Sequence, residues 1–141
     1  MIIFKTDNIL NLVIPCFILL FLLKSCCFCT KNTHLGNHFY ISEYDIKDTR
    51  VMYCSDGCCN SVIDVVPQTV LEYDYNSKWI IAKADSALYY TYWIIDKESI
   101  SNKTDNYKNI KEHIRGPLDS VTFSSILSKD KINLRLKKYL Q

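Results

Sequence analysis

The sequence predicts an α+β protein: a mostly antiparallel sheet of five to seven strands with one C-terminal helix packed on it, after an N-terminal signal or anchor helix. Three observations indicate this class. Short β-branched and aromatic runs recur between turn residues from position 38 to position 95. One amphipathic helical stretch follows Gly116-Pro117-Leu118, and an uncharged apolar stretch precedes all of these runs. A chain of 141 residues has room for one such domain.

The strand signals form a series along the chain. The expected strands cover residues 38–46, 50–54, 61–66, 70–75, 79–84 and 88–95. Residues 70–75 alternate apolar and acidic side chains, as a half-buried strand does. Asn76-Ser77-Lys78 predicts the turn of a hairpin between this strand and the next. Residues 88–95 are apolar on both faces, which is typical of a strand in the middle of a sheet.

The C-terminal part is predicted to contain a loop, a chain break and the helix. Residues 96–109 are rich in Lys, Asn and Ser and are expected to be a loop, followed by a strand at 109–115. Gly116-Pro117-Leu118 breaks the chain, and Asp119 or Ser120 can cap a helix. The apolar stripe of that helix is Val121, Phe123, Ile126 and Leu127. Residues 132–137 fit a strand and a helix equally well.

The N-terminal apolar stretch indicates export. Residues 12–23 carry no charge, and a helix of that length spans roughly 18 Å against the ~30 Å of a bilayer's hydrocarbon. This length favours a signal peptide over a membrane-spanning helix. We therefore expect a lipoprotein-type signal peptide at 1–25, a flexible tether at 26–37 and a single α+β domain at 38–141.

The end of this stretch resembles a bacterial lipobox. In Leu23-Lys24-Ser25-Cys26, three positions match that signal, whereas Lys24 replaces a small residue. The resemblance implies a lipid on Cys26 and a location on the bacterial cell envelope, anchored to a membrane on its periplasmic or surface side. Two or three acyl chains anchor a protein stably. An uncleaved anchor and ordinary secretion are the alternatives.

The cysteines of the domain are expected to oxidise outside the cytosol. Ser55-Asp56-Gly57 is a turn signal, so a disulfide between Cys54 and either Cys58 or Cys59 is expected. The same thiols could join a histidine in a zinc site or a catalytic couple. The candidate histidines are His34, His38 and His113. No second ligand pair has matching spacing, so we predict no metal and no cofactor.

Charge patterns argue against several classes of function. A net charge of +2 argues against a nucleic-acid-binding protein with a broad basic face. No glycine-rich loop is present to hold phosphate. Acidic residues that alternate along strands are interpreted as solvated charges and not as a glycosidase pair. The basic residues of 129–138 fit a solvated tail or contact with an anionic membrane. We therefore predict no catalytic residue and no enzymatic activity.

Aromatic side chains of the predicted sheet are candidates for a binding surface. Tyr and Trp are enriched at interfaces, although a small sheet also needs aromatic residues in its core. The candidates are Tyr73, Tyr75, Tyr89 and Trp93.

Parts of the domain resemble a group of small bacterial lipoproteins of unknown function. The shared features are a lipobox, a hairpin ending in Ile80-Ile81-Ala82-Lys83, a strand ending in Ile94-Ile95-Asp96-Lys97, and Gly116-Pro117-Leu118 before a helix. The resemblance implies an exported α+β domain and transfers no catalytic residue. The expected function is that of an envelope-anchored, non-catalytic module that binds a protein or a surface polymer. The alternatives are an inhibitor or immunity-type lipoprotein and an uncharacterised envelope enzyme.

Overall fold

A computed structural model describes residues 32–43, 48–55, 61–100 and 107–138, which form three layers. The first sheet has the order β1-β2-β3-β4, and the second sheet has the order β8-β7-β6-β5-β9. Every strand pairing between neighbours is antiparallel. The strands of the first sheet are β1 (Asn32–Gly36), β2 (Phe39–Glu43), β3 (Thr49–Cys54) and β4 (Val62–Val66). Those of the second are β5 (Thr69–Tyr75), β6 (Trp79–Asp85), β7 (Tyr90–Asp96), β8 (Ile114–Leu118) and β9 (Lys137–Lys138). The helices are α1 (Tyr107–Lys111) and α2 (Ser120–Lys129).

The mostly antiparallel architecture agrees with the prediction, but the strands form two sheets and not one sheet of five to seven strands. The chain passes from the first sheet to the second through Pro67 and Gln68. Pro67 has no amide hydrogen, so it cannot continue the hydrogen-bond ladder of β4. The strand pattern identifies the elements, whereas the division into sheets depends on long-range packing.

Three segments differ from their predicted structure. Strand β1 lies in the stretch expected to be a flexible tether, and the burial of Leu35 (1% exposed) in the core stabilises it there. Helix α1 replaces part of the strand predicted at 109–115. Gly116-Pro117-Leu118 belongs to β8, where the peptide bond before Pro117 is cis.

The second sheet is buried on both faces. Ile80 and Ile95 point into the core between the sheets, and Ile81 and Ile94 point to the layer formed by α2 and residues 132–136. All four are fully buried. The core between the sheets also contains Leu35, Phe39, Ile41, Val51, Tyr53, Val65, Val66, Val70, Ala82, Ala84, Trp93, Ile100 and Ile110. Phe123 and Ile132 are the buried residues of the helix layer.

The two sheets share a proximal end, which we define as the end where β1 begins at Asn32. Four residues lie side by side across the first sheet near this end: Thr33, Ile41, Val51 and Val66. The two residues after Val66 lead to Thr69, which pairs with Asp85 at the end of β6. The hairpin between β6 and β7 therefore lies at the proximal end, together with Asn32.

The opposite end of the two sheets, which we call the distal end, is stabilised by Lys97. Its Nζ donates to the carbonyl oxygens of Leu35 in the first sheet and Asn76 in the second. Its amide donates to the Lys78 carbonyl at 2.8 Å, and its carbonyl accepts from Asn37 Nδ2 at 3.1 Å. The turn between β1 and β2 therefore lies against the turn between β5 and β6, and the strands of the two sheets run along a common direction.

Candidate binding site

The hairpin between β6 and β7 has a compact tip at residues 85–90, called the hairpin tip below. The Ala87 amide donates to Asp85 Oδ1 at 3.0 Å, and the Ser86 amide donates to the Tyr89 carbonyl at 3.1 Å. The Leu88 amide donates to the Ser86 carbonyl at 2.7 Å. Ala87 adopts a positive φ of 64°, a conformation that a residue with a Cβ atom adopts at some cost. Local hydrogen bonds therefore define the shape of the tip.

This tip presents apolar and aromatic side chains to the surface. Leu88 is 91% exposed, Tyr89 64% and Tyr90 54%. Val121, in the first turn of α2, is 77% exposed. A single exposed apolar side chain is ordinary, whereas a group of them at one place marks an interaction site.

A cleft of about 410 Å³ lies beside the hairpin tip, between β7 and the start of α2. We call it the aromatic cleft. Its lining residues are Tyr89, Tyr90, Thr91, Tyr92, Pro117, Leu118, Asp119 and Ser120. The lining combines tyrosine rings, hydroxyl groups and one carboxylate, and it contains no lysine or arginine. Clefts with apolar and aromatic walls and a few polar groups are typical binding sites.

Two tyrosines of the aromatic cleft, Tyr90 and Tyr92, have packing partners on the side of the sheet that faces α2. The Tyr92 ring packs on Phe123 of α2, with ring centroids 4.9 Å apart. Lys83 Nζ lies 4.2 Å from the centroid of the Tyr90 ring, in cation–π contact, and 3.3 Å from Glu72 Oε1. These contacts restrict the rings before any ligand binds, which lowers the entropy cost of binding.

Asp119 forms the N-cap of α2 at the mouth of the cleft. Its Oδ1 accepts from the amides of Val121 and Thr122, both at 2.9 Å, and its Oδ2 accepts from the Thr122 hydroxyl at 2.7 Å. The hydrogen bonds from Thr122 hold the pKa of Asp119 below its usual value. The carboxylate is therefore ionised at neutral pH, and it stabilises the helix start.

The four aromatic residues expected to form a binding surface lie in different environments. Trp93 is 7% exposed between the sheets, and its Nε1 donates to Thr91 Oγ1 at 3.3 Å. The Tyr73 and Tyr75 rings stack at 6.3 Å, and Tyr75 is 40% exposed at the distal end. Tyr75 and Tyr90 pair with positions of β6 that lie about 17 Å apart along the strand. Of the four, Tyr89 borders the aromatic cleft.

Sequence reasoning missed Leu88 as a surface residue because it placed the start of β7 at residue 88. The strand begins at Tyr90. Asp85-Ser86-Ala87 carries the available signal, since Asp and Ser favour turns through local hydrogen bonds. A turn there leaves Leu88 outside the strand and exposed at its tip.

The other predicted site residues have structural contacts or lie outside the described residues. Cys54 is disulfide-bonded, and Cys58 and Cys59 lie outside the described residues, so the pairing stays a prediction. The His34 ring packs beside Tyr40, with centroids 4.8 Å apart. Within the described residues, no group of three or more His, Cys, Asp or Glu side chains could hold a metal ion.

Asp74, one of the acidic residues that alternate along β5, is paired with the C-terminal segment. Its Oδ1 accepts from Lys137 Nζ at 3.0 Å, and its Oδ2 accepts from the Arg135 amide at 3.1 Å. Burial by itself raises the pKa of Asp74, but these hydrogen bonds outweigh it and lower the pKa. The residue connects β5 to the chain after α2, so it is an ion-paired structural residue and not the solvated charge expected from its place in the alternation.

Cys26 and the apolar stretch at 12–23 also lie outside the described residues, so the lipid attachment stays a prediction. No helix in the described part of the chain is long and apolar enough to cross a membrane. No protein-family model, curated protein or solved structure matches the chain.

Proposed function

We propose that the protein is a non-catalytic binding module of the bacterial cell envelope, anchored to a membrane by a lipid on Cys26. Its aromatic cleft binds a protein or a surface polymer. The cleft is the observation that carries this proposal, because it combines pre-positioned tyrosine rings with exposed hydroxyl and carboxylate groups.

The chemistry of the cleft favours binding over catalysis. An enzyme needs a nucleophile or an acid–base pair with a tuned pKa inside its cleft. The cleft contains one carboxylate, Asp119, and hydrogen bonds to the first turn of α2 occupy both of its oxygens. Tyrosine side chains, in contrast, supply large contact areas and a hydroxyl for hydrogen bonding, as interface residues do.

A capture experiment tests the cleft. The full-length protein, solubilised in detergent, is incubated with envelope extract as wild type, as Tyr90→Ala and as Tyr75→Ala. Both substitutions remove a tyrosine that is about half exposed, but Tyr75 lies at the distal end. We expect Tyr90→Ala to lose the captured component, because the ring lines the cleft, and Tyr75→Ala to keep it.

Equal capture by all three forms would contradict the role of the cleft. Turnover of a substrate by the wild type that disappears in Asp119→Asn would show an enzyme instead of a binding module. That variant keeps a side-chain oxygen for the N-cap, so it separates catalysis from helix stability.

The anchor has an independent test. Cells that express the wild type or Cys26→Ser are grown with a palmitate analogue, and the protein is examined for label. We expect the label on the wild type alone. Equal labelling of the two forms would show that the lipid is not attached to Cys26.

A further inference from the structure

We propose that the hairpin tip inserts into the lipid surface of the membrane that anchors the protein. The domain then stands on the bilayer with its proximal end down. The inference goes beyond the binding function of the cleft, because the residue that enters the lipid is Leu88, which does not line the cleft. It rests on the proposed function only for the lipid on Cys26. Three observations support it. They are the position of the exposed apolar residues, the end at which the chain enters the domain, and the hydrogen bonds of the backbone amides in the tip.

Exposed apolar side chains are concentrated at the proximal end. The four most exposed large hydrophobic residues of the described chain lie in the hairpin tip and in the first turn of α2, beside the cleft. They are Leu88, Tyr89, Tyr90 and Val121. Leucine favours the hydrocarbon, and the amphipathic tyrosine ring favours the boundary between lipid and water. This composition suits a bilayer interface.

The chain reaches the domain at the same end. Strand β1 begins at Asn32, and Asn32 and the hairpin tip share the proximal end. Asn32 is six residues after Cys26, so a fully extended connection spans at most about 20 Å. A lipid on Cys26 therefore keeps the proximal end close to the bilayer. At that distance, the exposed tip of the hairpin can reach the membrane.

Three backbone amides of the tip already have hydrogen-bond partners, which favours insertion into lipid. An unpaired amide or carbonyl group is costly in lipid. In the tip, the amides of Ser86, Ala87 and Leu88 all donate within the turn itself. Insertion of the Leu88 side chain therefore leaves none of these three donors without a partner.

The charges beside the tip indicate which force drives the contact. Asp85 and Asp119 are acidic, and the cation on the neighbouring strand, Lys83, is paired with Glu72. Helix α2 begins at the cleft and runs away from it, so Lys129 lies at its other end. The tip has no excess of positive charge, so contact depends on apolar burial and needs no anionic lipid.

Fluorescence quenching in liposomes tests the inference. The full-length protein is reconstituted in phosphatidylcholine with brominated acyl chains as wild type, Leu88→Trp and Ser77→Trp. Ser77 is an exposed turn residue at the distal end, so it is the matched control. At an insertion depth of ~5–10 Å, the indole added at position 88 should lose roughly half of its emission, after subtraction of the wild-type signal. The indole added at position 77 should keep its emission, and added anionic lipid should not change the result.

A photo-crosslinking residue at position 88, in cell membranes, identifies the occupant directly. Lipid adducts support the inference, whereas the absence of lipid adducts, with one protein adduct of defined mass or a crosslinked pair of this chain in their place, would overturn it. Equal emission from both added indoles would also overturn it. The palmitate label tests the anchor separately. Quenching at position 88 without a label on Cys26 would contradict the anchor and support the inserted tip. A label on Cys26 without quenching at position 88 would support the anchor and contradict the inserted tip.

Discussion

Lys97 shows how a single side chain can join two sheets. It is 1% exposed, and its Nζ donates to the carbonyl oxygens of Leu35 and Asn76. The Tyr75 ring centroid lies 5.5 Å from the same nitrogen. Within the described residues, no carboxylate forms an ion pair with it. Burial without a countercharge disfavours the ammonium form and lowers the pKa of Lys97.

This lowered pKa predicts a pH dependence of stability. Between the folded-state pKa of Lys97 and the unfolded value of 10.5, the unfolded chain binds more protons than the folded chain. The free energy of unfolding should therefore increase with pH through this window. We expect the free energy of unfolding of the wild type, relative to that of Lys97→Met, to increase as the pH is raised from 7 toward 10.5. Urea unfolding of both proteins measures it, and a constant difference would show that the pKa is not lowered.

Gly116 is required by a close approach to Trp93. A Cβ atom at this position would lie 2.4 Å from Cε3 and 2.6 Å from Cδ2 of the buried indole. Since the ring fills the core between the sheets, it cannot move away freely. We expect Gly116→Ala to reduce the free energy of unfolding by about 1–3 kcal/mol.

A double-mutant cycle with Trp93→Leu checks this cause, because the smaller side chain leaves room for the methyl group. Additive effects of the two substitutions would show that the clash is not the reason.

Among the secondary-structure elements, strands β6 and β7 form the centre of the molecule. Ile80 and Ile81 are adjacent in sequence, but each is fully buried in a different core. We expect Ile80→Ala and Ile81→Ala each to cost about 2–5 kcal/mol. Thermal or urea unfolding measures both, with Ser77→Ala as a control in the exposed turn. Wild-type stability in either variant would contradict burial on that face.

Most strands could be predicted because their signals are local. Residues 70–75 alternate apolar and acidic side chains, and the turn Asn76-Ser77-Lys78 follows them. In this turn, the Asn76 side chain accepts from the amides of Lys78 and Trp79 at 2.9 and 2.8 Å. Strand β1 could not be predicted in the same way. Its sequence, Asn-Thr-His-Leu-Gly, is mostly polar, and it is a strand because β2 pairs with it and the core buries Leu35.

At the scale of the whole molecule, the candidate site could be predicted only in part. Tyr89 was identified from its residue type, but the cleft joins residues 89–92 with residues 117–120, which are distant in sequence. Their approach depends on the pairing of Tyr92 with Leu118 across β7 and β8. A pattern of residue types carries no information about that pairing, since any two strands can in principle be neighbours.

The shared second sheet predicts one cooperative unfolding transition. Trp93 lies between the sheets, and Trp79 packs against the core of the helix layer. Trp79 lies on β6 and Trp93 lies on β7, and both strands pack against the first sheet on one face and the helix layer on the other. The unfolding midpoints measured with the two tryptophans should therefore agree. Trp79→Phe and Trp93→Phe each leave one tryptophan, and its fluorescence is compared with far-ultraviolet circular dichroism of the same variant. Two separate midpoints within one variant would show that the layers unfold independently.

The two-residue passage through Pro67 and Gln68 has a consequence for synthesis. Each sheet is built from one continuous half of the chain, and the first half leaves the ribosome first. Until β6 and β7 follow, the inner face of the first sheet, with Phe39, Ile41 and Tyr53, has no cover. The nascent chain therefore carries an apolar face through the interval in which the second half is made. During that interval, a chaperone can bind this exposed apolar face.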